Sequence, residues 1–229
     1  MLIQPGGVPA PARTTRKSPA KRVLPPHPVR AAIVIGSFTA LLYLIEFINM
    51  TMGQSLDRFG IQPRTLTGLE GVVFAPLLHA SWAHLIGNTI PILVFGFLAM
   101  AGGITQWVAI TTTVWVVSGL GVWATGSPGV TVGASGVAFG WLAFLLLRGL
   151  FNRSILQVLL ALVLLFFWGS ILWGLLPLYP GVSWQGHAFG ALGGVLAAWL
   201  VAKASKPNKP AVTSGPAAGT TRPLGPPIG

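Results

Sequence analysis

Apolar residues in this chain fall in long unbroken runs, not in the strict alternation of strands. Six runs stand out, at about 31–50, 84–102, 105–125, 133–150, 154–174 and 185–203. Each approaches the roughly 20 residues that a helix needs to cross a hydrocarbon core. Such a core offers the backbone no hydrogen-bond partner, so these runs predict spanning helices. Between the first two, Thr51 to Ala83 mixes apolar residues with Asp57, Arg58, Arg64 and Glu70. That mixture predicts a structured interfacial loop. Residues 1–29 are rich in Pro, Ala and basic side chains, and residues 204–229 in Pro, Gly, Ala and Thr. Both stretches predict disordered tails. The first has no apolar stretch followed by a cleavage site, so it does not read as a signal peptide. The expected organisation is a basic tail over 1–29, a six-helix membrane domain over 30–203 and a second tail over 204–229. The first loop of the domain spans about 51–83.

Composition agrees with an all-α polytopic membrane protein: 53% of residues are hydrophobic and 7% charged. There is no cysteine, which removes disulfides, a thiol nucleophile and a Cys-ligated metal. The formal charge is +11. In a soluble protein that excess would suggest nucleic acid; here it reports topology, and no nucleic-acid partner is expected. Arg13, Arg16, Lys17, Lys21, Arg22 and Arg30 precede the first run. Arg148 and Arg153 flank the fourth junction, and Lys203, Lys206, Lys209 and Arg222 follow the last run. With six crossings all of these fall on one side, and only Arg58 and Arg64 on the other. The positive-inside rule then places both termini in the cytoplasm of a multi-pass plasma or inner membrane protein. Losing one crossing would split the basic residues between both sides.

The same topology starts the second, fourth and sixth helices at the external face. Those starts carry His84 with Asn88, Ser135, and His187. His84 and Asn88 are four apart and share a helix face. Alone they read first as interhelical hydrogen-bond glue. Ser135 lies in Gly133-Ala134-Ser135-Gly136, where glycines permit close backbone approach and free helix N–H groups face developing negative charge. Gly190 and Gly194 follow His187 at GxxxG spacing, and Gly136 and Gly140 offer a matching face. Contact between those faces would bring His187 within reach of Ser135.

The acid inventory limits the chemistry. The carboxylates are Glu46, Asp57 and Glu70, none beside His187 in sequence. A Ser-His-Asp triad requires one of them to fold back, so a Ser-His dyad is the simpler arrangement. No HExxH motif is present, which argues against a zinc protease, and no metal or other cofactor is expected. A site built from His79, His84 and His187 would lack a nearby carboxylate.

These residues resemble the rhomboid family of intramembrane serine proteases. The matching pieces are His79-Ala80-Ser81-Trp82-Ala83-His84-Leu85-Ile86-Gly87-Asn88, Gly133-Ala134-Ser135-Gly136, and His187-Ala188-Phe189-Gly190 through Gly194. The resemblance covers about residues 31–203 and implies a rhomboid-like six-helix bundle. It implies Ser135 as nucleophile and His187 as general base. His84, Asn88 and the Ser135 backbone N–H would donate to the oxyanion. His79 would be structural, and Phe139 matches an aromatic position that packs on the histidine. Transmembrane proteins would be the substrates and the bilayer the surrounding partner. One departure is visible: Glu70-Gly71 stand about where the family often has Trp-Arg, which puts the internal bonding of the first loop in question. Two rival functions use the same residues: a catalytically inactive rhomboid-like binder of membrane helices, and a small transporter with a polar pathway.

Peptide hydrolysis needs water, so the site must be a polar cavity open to the external side. Ser81, Ser183 and Gln185 are candidates to wet it. From Gly133 to Leu147 the fourth run spans about 22 Å at 1.5 Å per residue. A core about 30 Å thick then leaves Ser135 several ångströms below the external interface, if Arg148 marks the cytoplasmic one.

Overall fold

The computed structural model describes residues 21–205. Its helices are α1 (Pro28–Thr51), the short α2 (Gly71–Phe74), α3 (Trp82–Ala99), α4 (Ile104–Thr125), α5 (Ser135–Asn152), α6 (Ile155–Trp168) and α7 (Trp184–Ala204). Six helical segments are long and apolar enough to cross a membrane, so the chain is an all-α polytopic membrane protein. Local chemistry sets several ends. Pro28 opens α1, where its missing N–H costs nothing. Gly103, at φ +98°, separates α3 from α4. The fifth crossing differs from the expected single helix. It is α-helical to Trp168 and then tightens into a 3-10 turn over Gly169–Leu175.

Burial orders the bundle. In α5 67% of the hydrophobic span is buried inside the protein, against 17% in the fifth crossing. Hence α5 is the central helix, and α6 with its 3-10 extension is peripheral. Close packing of α5 on α7 depends on the two glycine faces. A Cβ at Gly190 would collide with the Gly136 carbonyl, and one at Gly194 with the Gly140 carbonyl. Around this contact Trp141, Phe144 and Leu145 fill the core with Phe95 of α3.

The first loop is tied to α4. Trp115 Nε1 donates to the Val72 carbonyl at 2.9 Å, and Trp123 Nε1 to the Thr65 carbonyl at 2.7 Å. The Arg64 guanidinium donates to the Gly126 carbonyl at 2.9 Å. Glu70 is exposed, while Gly71 is buried against the backbone of Gly60 and Ile61, where a Cβ would not fit. Indole and guanidinium donors to backbone carbonyls thus anchor this loop together with backbone bonds, among them Arg64 N to the Trp123 carbonyl and the Ile61–Thr131 pair.

At the other end of α5 the structure corrects one expectation. Arg148 is buried, and its guanidinium donates to the Arg22 carbonyl. Gln157 donates to the same carbonyl at 3.0 Å. Residues 21–27, expected within the disordered tail of 1–29, are thus placed against α5 and α6, because a buried guanidinium needs an acceptor. At the far end, the helix continues through Ala204. The remaining tail residues, 1–20 and 206–229, lie outside the described residues.

Candidate active site

Ser135 is the first residue of α5. The first hydrogen bond of that helix runs from Ala138 N to the Ala134 carbonyl, so the Ser135 N–H has no acceptor within α5. The preceding turn is locked from outside. Gly133 N donates to the Ala75 carbonyl at 2.9 Å, and Ala134 N to His79 Nε2 at 3.4 Å. Gly133 sits at φ +123°, and a Cβ there would lie 2.6 Å from His84 Cε1 and 2.8 Å from Nε2. Both the backbone angle and the histidine demand glycine at this position.

His187 lies in the first turn of α7, whose N-cap is Ser183: its hydroxyl accepts from Gly186 N at 3.3 Å. The Gly136–Gly190 contact brings the two helices together, and His187 Nε2 stands 2.8 Å from Ser135 Oγ. The other ring nitrogen, Nδ1, stands 2.9 Å from the Gly174 carbonyl. A carbonyl only accepts, so Nδ1 carries a hydrogen and Nε2 is left to accept from the serine hydroxyl. Phe139 stacks on the imidazole at 4.1 Å and 8°. Ser118 of α4 donates to the Gly186 carbonyl at 2.8 Å, bracing the residue before His187.

On the opposite wall, α3 is capped by Ser81, which accepts from His84 N at 3.2 Å. Ser81 and Ser183 are thus helix caps; Ser183 also lines the cavity, as expected of it, and Ser81 does not. His84 and Asn88 share a face, and both line one cavity of about 1180 Å³ with Ser135, His187 and Gln185. The Asn88 side-chain nitrogen is buried there without a hydrogen-bond partner among the described residues. A buried, unused donor in a cavity that Ser135 also lines suits an anion that exists only during a reaction.

His79 is fully buried, edge-on to His84 with ring centroids 5.1 Å apart. Burial, and secondarily His84, lower its pKa from 6.5 to about 3. Between those values the unfolded chain binds a proton that the folded one refuses. This contribution to stability is therefore complete above pH 6.5 and declines as pH falls toward 3. The expected slope is up to about 1.4 kcal/mol per pH unit for one proton. Unfolding midpoints in detergent across that range should show it, and His79→Gln should remove that part. An unaltered slope in His79→Gln would contradict the assignment.

Asp57 folds back, but not to His187. Its Oδ1 accepts from the Asn49 amide at 2.9 Å. Burial raises the Asp57 carboxyl, while the Asn49 hydrogen bond and the charge of nearby His84 pull it down. Gly174 and Ser118 were not legible as site residues. One contributes only a backbone carbonyl, and the other is a single hydroxyl in an apolar run.

The sequence model described as the Rhomboid domain matches residues 67–204. Uncharacterized proteins of Mycobacterium tuberculosis and Mycobacterium bovis are each 46% identical over 209 residues, covering 87% of this chain and 85% of theirs. An uncharacterized protein of Mycobacterium leprae is 44% identical over 178 residues, covering 74% and 70%.

Proposed function

This chain belongs to the rhomboid family, and on that premise we propose that it is an intramembrane serine endopeptidase working through a Ser135–His187 dyad. The observation that carries this reading is the doubly bonded imidazole, with Ser135 Oγ on one nitrogen and the Gly174 carbonyl on the other. Ser135 Oγ attacks the scissile carbonyl carbon while His187 Nε2 takes the hydroxyl proton. Negative charge gathers on the former carbonyl oxygen, where His84, Asn88 and the Ser135 N–H donate to it. The C–N bond then breaks, His187 passes its proton to the departing amine, and an ester to Ser135 remains. Water, giving a proton to His187, attacks that ester. The acid product leaves and the serine hydroxyl is restored.

The Gly174 carbonyl does here part of what an aspartate does in a triad: it holds the tautomer and the ring orientation. It brings no full negative charge to a low-dielectric site, where an unpaired carboxylate would be costly. Phe139 supports the ring face. The cavity supplies room for the water that a bilayer core lacks.

The distribution of basic residues supports a site open to the external side, with both termini cytoplasmic. The length of α5 below Ser135 supports a position beneath the external interface. Substrates would be transmembrane proteins whose helices unwind near that boundary, where small or helix-destabilising residues make a peptide bond accessible.

Incubation of the full-length protein with a fluorophosphonate tests the reading. Ser135 should be the labelled residue by peptide mass spectrometry, since only an activated serine reacts. An unlabelled Ser135 would instead favour an inactive membrane-helix binder. Asn88→Ala is expected to retain weak activity, with a loss on the order of 10²–10³ in turnover on a transmembrane reporter. Unchanged turnover would remove Asn88 from the oxyanion site.

A further inference from the structure

One stretch of the cavity wall is bare backbone. His84, Gly87, Asn88, Pro91 and Phe95 of α3 line the cavity at helical spacing, so they form one face of that helix. Pro91 lies inside α3, and the helix runs on past it to Ala99. A proline has no N–H, so the Gly87 carbonyl lacks the donor that the residue four positions on supplies elsewhere in an α-helix. The Leu85 carbonyl, two residues earlier, also receives the Thr89 hydroxyl at 2.9 Å. No side chain among the described residues does the same for Gly87. Gly87 is exposed, and a Cβ there would meet nothing within 4 Å. The wall of the cavity thus holds an acceptor without its helical partner, beside open space and between two residues that face the site.

Given the protease function proposed above, we infer that the Gly87 carbonyl, freed by Pro91, is a docking acceptor for a backbone N–H of the substrate. Gly87 lies three positions beyond His84, about 4.5 Å further along α3 at 1.5 Å per residue. The oxyanion donors fix where the scissile carbonyl sits, so Gly87 faces the neighbouring peptide groups on the membrane side of that bond. Those groups come from a helix that has just unwound. Each N–H so released has lost its carbonyl acceptor, in surroundings that offer little water. The free carbonyl and the free N–H satisfy each other. Their bond forms only with an unwound segment, because the N–H groups of an intact helix are already paired. It therefore favours the extended substrate over the helical one, and it reads backbone without regard to side chains. The open space beside Gly87 lets the substrate backbone approach.

The test is cleavage of synthetic single-span peptides in liposomes by the full-length protein, followed at the scissile amide by mass spectrometry. In each peptide one of the three N–H groups next to the scissile bond on its membrane side is replaced by an ester oxygen, with the scissile amide left intact. With the wild type, one of these replacements should lower kcat/KM about tenfold. Pro91→Ala restores an N–H at position 91 and with it the internal bond of α3. It should cut the all-amide peptide about tenfold more slowly, and the same ester should then cost nothing more. Fluorophosphonate labelling of Ser135 should keep its wild-type rate in Pro91→Ala, because that small reagent has no segment to dock. Should Pro91→Ala not fold, Pro91→Leu restores the same N–H with a larger apolar side chain and must give the same results. No loss from any of the three esters with the wild type, an equal loss with the variant, or slowed labelling of the variant would each overturn the inference. In those cases cleavage of the all-amide peptide by the wild type still stands for the protease. An all-amide peptide left uncut by the wild type would overturn the protease itself.

Discussion

Ser135→Ala is expected to abolish cleavage of a single-span reporter reconstituted in liposomes, a loss of at least about 10⁴ that reaches the assay floor. As the proposed nucleophile and base, Ser135 and His187 would act as one unit, joined by the 2.8 Å contact between Oγ and Nε2. His187→Ala should therefore cost as much, and the double variant no more than either. Folding should survive the serine change, because Ser135 is only half-buried at a cavity wall. An unchanged unfolding midpoint would separate lost chemistry from lost structure. Cleavage by Ser135→Ala at the wild-type rate would end the enzyme reading.

Gly194→Leu should produce the second large effect through packing alone. The new Cβ would run into the Gly140 carbonyl, which is helix backbone and cannot swing aside. Separation of α5 from α7 is the available response, at about 1–3 kcal/mol or more for the overpacked contact. The same separation pulls His187 from Ser135, and a misplacement of about 1 Å can cost on the order of 10² in rate. A lowered unfolding midpoint together with slowed fluorophosphonate labelling is the expected pair of results. Gly36→Leu is the control, because a Cβ at Gly36 meets nothing within 4 Å. If Gly194→Leu matched that control in both measurements, the helix contact described here would be wrong.

Much of this site was legible in the linear chain because its groups sit at helix starts. His84 and Asn88 one turn apart, Ser135 among glycines and His187 before a GxxxG face need only the helical repeat and the count of crossings to converge. The roles of Ser81 and Ser183 were harder to see. A serine three or four residues before a histidine reads as solvent-facing until the backbone shows it capping a helix. The partner of Arg148 was hidden for a related reason. An arginine after an apolar run marks a helix end, and only the fold brings the Arg22 carbonyl that makes its burial tolerable.

The sequence by itself determined the number of crossings, the shared face of His84 and Asn88, and the glycines that allow α5 and α7 to touch. These follow from local periodicity and from side-chain size, which are properties of short stretches. Only the tertiary structure decided which group His187 Nδ1 bonds and where Asp57 goes. The first answer is a backbone carbonyl, which every residue possesses and no sequence pattern marks. The second depends on how the first loop folds across α1 and α3, a matter of long-range packing that hydrophobic patterning does not encode.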